Sequence, residues 1–263
     1  MSFANPLVTS MIFFPEKEFY ETPEDYGLSA EDIFFQTLDG LKLHGWFFEG
    51  TGDRFKNLSP VPERTLLFFH GNAGNISGRL FKAKGWLERG FSVFLVGYRG
   101  YGKSEGKAGS EQDILKDAAA AWDYLTRQKE ISPEKIILYG ESLGTYPATA
   151  LAGQHQAAAL ILESPFTSFV ELAGVHYPLV PKALLKGVSF STIDKIAAVR
   201  CRVFILHGTE DEICPYDFAQ KLFKKAPEPK EFFTIHGGMH NDLPVAAGEK
   251  FWQKPVDFIL RGR

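Results

Sequence analysis

Lys135-Ile136-Ile137-Leu138-Tyr139-Gly140-Glu141-Ser142-Leu143-Gly144 decides how this chain is read. Residues 135–139 are short, apolar and β-prone, and residues 145–152 are rich in Ala and Leu. The pentapeptide 140–144 therefore stands at a strand-to-helix junction. A serine there is forced into a sharp turn that lifts its hydroxyl clear of the backbone. The helix N-terminus then directs free N–H groups at whatever the serine attacks. The two glycines flank Ser142 at minus two and plus two, where a Cβ would collide with the neighbouring strand or helix. Such a turn is a nucleophile elbow, and it implies serine-hydrolase chemistry.

The same G-x-S-x-G pattern recurs at Gly102-Lys103-Ser104-Glu105-Gly106. It lies in a glycine-rich stretch, 97–109, several residues after an apolar strand at 91–96, and no helix follows directly. The motif has mechanical meaning only between a strand and a helix, so Ser104 reads as a loop serine and Ser142 as the nucleophile.

Working outward, 263 residues suit one large α/β domain. The composition, 44% hydrophobic and 23% charged, provides a full core. A net charge of −3 without a Lys/Arg cluster argues against nucleic acid as a standing partner. Cys201 and Cys214 flank one predicted strand near its opposite ends, so they read as two small thiols rather than a bridge. No C-x-x-C or H-E-x-x-H spacing suggests a metal, and no cofactor is implied. The apolar patch at 7–14 lacks a basic leader, is interrupted by Thr9 and Ser10, and is too short to span a bilayer. The expectation is a soluble, cytoplasmic protein without stable membrane insertion.

Residues 33–37 and 41–48 alternate around Leu38-Asp39-Gly40 and predict a β-hairpin. Continuous apolar runs at 64–69, 91–96, 135–139, 158–162 and 202–206, with 231–235, read as strands, several buried on both faces. Helical patterns fall between them at 77–89, 110–128, 143–152 and 216–225, with a last helix at 245–260. This alternation predicts a mostly parallel, doubly wound sheet with helices on both faces, whose ligands bind at the carboxyl ends of the strands. Residues 164–200 interrupt the pattern: they are apolar, hold no clean strand, and are broken by Pro165, Pro178 and Pro181. They read as a small helical cap inserted within the single domain and roofing the site. Its Phe166, Phe169 and Tyr177 are the expected substrate-binding side chains.

A serine hydroxyl needs a base, and the base needs an orienting group. His240 follows the last strand on the glycine-softened loop His236-Gly237-Gly238-Met239-His240 and is the expected base; His236, four residues earlier, is the alternative. The acid belongs at the end of the preceding strand, where Glu210-Asp211-Glu212 offers three carboxylates. Asp211 is the choice, Glu210 and Glu212 are alternatives, and Glu163 is a rarer placement. The order Ser142, Asp211, His240 is the one expected of an elbow of this kind. For an oxyanion hole, the N–H of Leu143 is one donor. The N–H of Asn72, in the loop His70-Gly71-Asn72-Ala73-Gly74-Asn75 after strand 64–69, is the other. His70 reads as a structural histidine at a strand end.

Together, residues 70–75, Tyr98-Arg99-Gly100-Tyr101-Gly102-Lys103-Ser104-Glu105-Gly106, residues 140–145 with Pro147, Glu163-Ser164-Pro165-Phe166-Thr167-Ser168, His207-Gly208-Thr209-Glu210-Asp211 and Gly238-Met239-His240 resemble the α/β-hydrolase superfamily. They are most similar to the small-cap branch that includes the membrane-anchored protein depalmitoylases. The resemblance runs from about Phe14 to the end. It implies an α/β-hydrolase sheet and hydrolysis of an acyl ester or thioester. Two departures stand out. Many relatives carry Asp where this chain has Gly97. Relatives often have a membrane anchor or cysteine-rich leader ahead of the point where this chain starts, so depalmitoylation of membrane proteins is not the expectation drawn. The expected substrate is a small acyl ester or thioester. Acyltransferase or peptidase chemistry on the same triad, and a non-catalytic binding protein on the same fold, are the alternatives.

Overall fold

The computed structural model describes residues 12–50, 63–179, 185 and 188–261. Eight strands form one sheet: β1 (Glu31–Gln36), β2 (Lys42–Phe48), β3 (Thr65–Phe69), β4 (Ser92–Val96), β5 (Ile136–Glu141), β6 (Ala159–Glu163), β7 (Arg202–Gly208) and β8 (Lys230–Ile235). Their order across the sheet is β1-β2-β4-β3-β5-β6-β7-β8. From β4 to β8 every pairing is parallel, while β2 runs antiparallel to both β1 and β4. The hairpin of β1 and β2 turns at Gly40, whose φ of 86° suits a residue without Cβ. β3, β5 and β6 are buried at every position, as continuous apolar strands between two helical layers must be. Edge strand β1 alternates instead, with Ile33 and Phe35 buried and Phe34 exposed.

Two separate cores confirm that both faces are covered. One joins Leu67, Phe69, Leu138 and Leu160 to α2 (Glu111–Asp123), α3 (Thr145–Gln154) and α5 (Tyr216–Lys225). The other joins Phe68, Val93, Tyr139 and Phe204 to α1 (Leu80–Leu87) and α6 (Glu249–Leu260), through Trp86 and Trp252. The expected mostly parallel, doubly wound α/β sheet is what forms.

Some element boundaries differ from the sequence reading, each for a local reason. The helix expected at 77–89 opens as a 3-10 turn, Ile76–Arg79, because the Asn75 side chain accepts the Ser77 N–H at 2.9 Å and sets a tight start. The helix expected at 110–128 ends as α-helix at Asp123 and finishes in a wider π turn, Tyr124–Gln128. The single final helix expected at 245–260 is two, Leu243–Ala247 and α6, broken at Gly248 with φ 56°.

In the segment between β6 and β7, the described residues contain α4 (Phe169–His176), a single α turn Thr192–Lys195 and a short 3-10 turn after it. Val180 and Leu184, expected to be part of the cap, lie outside the described residues. The chain reverses direction across the sheet at β3: its sequence successor β4 lies on one side and β5 on the other. Open parallel sheets bind ligands in the crevice above such a reversal. His70 leaves β3 there and Ser142 leaves β5.

Candidate active site

Ser142 opens a one-turn 3-10 helix that leads into α3, and its φ is 51°. A side chain rarely takes this left-handed backbone, which costs on the order of 1–3 kcal/mol and persists only where surroundings impose it. Here the impositions are visible. A Cβ at Gly140 would lie 2.4 Å from the Gly144 carbonyl oxygen, and a Cβ at Gly144 would lie 2.1 Å from that of Phe69. Thr145 donates its hydroxyl to the Ser142 carbonyl at 2.6 Å. The turn is tight because both glycines let three backbone segments touch.

The structure brings Ser142, His240 and Asp211 together. His240 Nε2 lies 3.0 Å from Ser142 Oγ. His240 Nδ1 lies 2.8 and 2.9 Å from the two Asp211 carboxylate oxygens. A carboxylate only accepts, so the proton sits on Nδ1 and Nε2 is left to accept from the serine hydroxyl. Asp211 also takes the N–H groups of Ile213 at 3.0 Å and Cys214 at 2.7 Å. A second imidazole, His207, shares its Nε2–H between the Cys214 carbonyl at 2.8 Å and Asp211 Oδ2 at 3.2 Å. Burial alone would raise the Asp211 carboxyl, but the hydrogen bonds from His207 and His240 and the N–H of Cys214 hold it well below the usual range.

The two loops carrying Asp211 and His240 clasp one another. A Cβ at Gly208 would lie 2.1 Å from the Gly238 carbonyl oxygen. Glu210 N–H donates to that carbonyl at 3.0 Å, and His240 N–H donates to Glu212 Oε2 at 3.1 Å. Glu212, an alternative acid in the sequence, therefore holds the backbone of His240 rather than its ring. Glu210 and His236 are exposed. Glu163 is buried and engaged by Lys82 at 2.8 Å and by the Tyr139 hydroxyl, away from His240. Burial and the Asp211 charge push the Cys214 thiol well up, so it stays protonated beside Ser142.

The loop after β3 lies against the elbow: a Cβ at Gly71 would stand 3.5 Å from Ser142 Cβ. Its carbonyls are taken by Tyr98 OH to His70 at 2.8 Å, His70 Nδ1 to Gly71 at 2.7 Å, and Tyr101 OH to Asn72 at 2.8 Å. The peptide bond is planar and trans, so anchoring the Gly71 carbonyl on the His70 ring turns the Asn72 N–H the opposite way. Burial and the nearby Arg79 charge hold the His70 imidazole down to about 3, so it is neutral. This use of a neutral strand-end histidine is stronger than the sequence alone indicated.

Ser104 is buried, accepts the His44 N–H at 2.9 Å and donates to the Gly97 carbonyl at 2.9 Å. It ties a loop to β2. The departure at Gly97 fits this: a Cβ there would press to 3.1 Å on the His44 carbonyl oxygen and 3.3 Å on Ser104 Oγ. Of the expected substrate-binding residues, Phe166 is 3% exposed and packs in the core, Phe169 is half-buried, and Tyr177 is exposed. His176 at the end of α4 reaches the Ile213 carbonyl at 2.7 Å, which ties this segment to the acid loop. Both cysteines are free, Cys201 half-buried and Cys214 buried. Among the described residues no helix is long and apolar enough to cross a membrane, and no cluster of His, Cys, Asp and Glu has the makings of a metal site.

Comparison with known proteins bears on the family and the fold. A family described as serine aminopeptidase S33, a hydrolase family, matches residues 60–192. The alpha/beta hydrolase domain-containing protein WAV2 of Arabidopsis thaliana is 35% identical over 262 residues, covering 92% of this chain and 82% of that protein. The chain belongs to the α/β-hydrolase superfamily. An uncharacterized protein of Mycobacterium tuberculosis is 37% identical over 238 residues, covering 90% of this α/β-hydrolase and 82% of the relative. The solved Pyrococcus furiosus esterase Pf2001 superposes with a TM-score of 0.72 at 18% identity, covering 95% of this chain and 97% of that one. At that identity the likeness speaks for the fold.

Proposed function

We propose that this α/β-hydrolase cleaves carboxylic esters or thioesters through an acyl-enzyme on Ser142. The observation that carries the reading is the 3.0 Å approach of His240 Nε2 to Ser142 Oγ, with Nδ1 of the same ring on Asp211 at 2.8 Å. In this reading Ser142 Oγ attacks the acyl carbon as His240 Nε2 takes its proton. The carbonyl π electrons move to oxygen, and the N–H groups of Leu143 and Asn72 receive the resulting oxyanion. Collapse breaks the bond to the alcohol or thiol, which leaves with the proton from His240. Water then attacks the acyl-enzyme, loses a proton to His240, and Ser142 regains it as the carboxylic acid departs. Asp211 holds the Nδ1–H tautomer and stabilises the imidazolium. The protein is one domain with residues 164–200 as its cap; half-buried Phe169 and exposed Tyr177 offer the acyl side of the pocket, while Phe166 packs in the core. The esterase neighbours support an ester substrate. The family description, serine aminopeptidase, favours amide cleavage as a second reading.

The test is hydrolysis of p-nitrophenyl esters from acetate to palmitate, with the Ser142→Ala variant and a matched set of amino-acid p-nitroanilides. Ester turnover lost in Ser142→Ala is expected, and its chain-length optimum sizes the pocket. Turnover of anilides alone would replace the ester reading by the peptidase one.

A further inference from the structure

We infer that Arg79 is a positioning residue for the oxyanion hole: its guanidinium ties the loop bearing Asn72 to the nucleophile turn. This rests on the proposed serine-hydrolase reading and assigns a role to a side chain outside the triad.

Arg79 ends the 3-10 turn that follows the oxyanion-side loop. Its Nη1 donates to the Ala73 carbonyl at 3.1 Å. Its Nη2 and Nε donate to Glu141 Oε1 at 2.8 and 3.2 Å. Glu141 is the residue immediately before Ser142, so one planar group holds both sides of the crevice. The loop is shaped to receive it. A Cβ at Gly71 would lie 2.9 Å from Glu141 Oε1 and 3.1 Å from Arg79 Nη2, and one at Gly74 would lie 3.6 Å from Arg79 Nη1. From the other side Gly74 accepts the Glu16 N–H at 3.1 Å, and Phe14–Pro15 pairs with Ala73–Gly74. The short loop is thus gripped between an N-terminal strand and the guanidinium.

Charge balance alone does not require this arrangement. Lys82 Nζ bridges Glu141 Oε2 and Glu163 Oε1, each at 2.8 Å, so two cations face two carboxylates beneath the elbow. Burial raises the Glu141 carboxyl, but Arg79 and then Lys82 outweigh it and keep it ionised. Arg79 differs from Lys82 in one respect: it also holds the loop carbonyl. A guanidinium presents several donors in a rigid plane, whereas an ammonium is a point charge.

That difference sets the experiment. Arg79→Met and Lys82→Met each remove one cation from the same network. Arg79→Lys keeps the charge and loses the planar fork, and it serves as the second variant should Arg79→Met fold poorly. In the full chain, active sites are counted with a fluorophosphonate, kcat and KM are measured on the best p-nitrophenyl ester, and inhibition constants are measured for a trifluoromethyl ketone and for the carboxylate product. The ketone forms a covalent tetrahedral adduct whose oxyanion must sit in the hole; the planar carboxylate product forms no such adduct and depends on the hole less. Losing one oxyanion donor typically costs on the order of 10² to 10³ in rate. Misplacing one through Arg79→Met is expected to lower kcat about 10- to 100-fold and to weaken the ketone by a similar factor, with KM and product affinity within about threefold. Arg79→Lys falls between. Lys82→Met keeps the wild-type ratio of ketone to product affinity. Equal effects of Arg79→Met and Lys82→Met on that ratio, or an Arg79→Lys variant indistinguishable from wild type, overturn the inference alone. A wild type that neither labels nor turns over overturns the hydrolase reading, and the inference with it.

Discussion

Replacing Gly144 by Ala isolates the packing of the elbow from its backbone conformation. Gly144 has φ −61° and ψ −17°, a geometry alanine adopts freely, so no torsional penalty enters. The obstacle is space: the new Cβ would lie 2.1 Å from the Phe69 carbonyl oxygen, 2.6 Å from its carbon and 2.9 Å from the His70 oxygen. Ordinary contact starts at 3.4 Å, so a gap of about 1.3 Å must open. All three atoms are backbone, and no rotamer relieves them. Either the end of β3, with the loop carrying Asn72, or the elbow itself must shift. A misplacement of about 1 Å costs on the order of 10² in rate, and overpacking costs about 1–3 kcal/mol. In a chain of this length that lowers Tm by roughly 2–10 °C. The assay pairs thermal unfolding with kcat/KM per titrated active site. Gly174→Ala, where nothing lies within 4 Å on exposed α4, is the matched control. It should raise stability by about 0.5–1 kcal/mol. A Gly144→Ala enzyme with wild-type Tm and kcat/KM would refute the steric reading of the elbow.

Three further outcomes are expected. Asp211→Asn removes the acceptor that fixes the His240 tautomer and should lower kcat about 10⁴-fold with little change in KM, read from steady-state kinetics. Ser104→Ala removes a hydroxyl bridging Gly97 and His44, and should cost about 1–3 kcal/mol by denaturant unfolding while Ser142 is labelled at the wild-type rate. Stability should fall as pH drops below 6.5, because His70, held down to about 3, refuses a proton that the unfolded chain binds. One such proton is worth about 1.4 kcal/mol per pH unit. His70→Gln should flatten the steepest part of the slope, between pH 6.5 and 6, with smaller shares left to His44 and His155, which burial also lowers. Below about 6 the loss is partly offset by Asp117, whose carboxyl burial raises to about 6 so that the folded chain binds a proton there first. Below pH 4 the depressed carboxylates Glu141, Asp39 and Asp211 add to the loss, since they too bind protons only on unfolding.

The elbow was legible in the sequence because everything that makes it is local: an apolar strand, two glycines and a helix within a few residues. That Asp211 and His240 would meet Ser142 was legible for a related reason, since each parallel strand delivers its loop to the same edge of the sheet. The Ser104 motif was separable by context, and its two backbone partners, 7 and 60 residues away, explain what the hydroxyl does instead. Arg79 was not legible, because its role depends on Glu141, 62 residues on, and a lone arginine in a turn carries no pattern. The contact of His207 with Asp211 was hidden for the opposite reason: a histidine in a strand end reads as packing. The last helix was read through Gly248 because apolar periodicity continues across it, while one positive φ ends the helix and restarts it.

The most direct test of the central claim is mass-spectrometric mapping of a fluorophosphonate on the intact chain. The account predicts one label per chain, on Ser142, absent in Ser142→Ala and strongly slowed in His240→Ala. A label on Ser104, or no label on a folded protein that still hydrolyses esters, would contradict it.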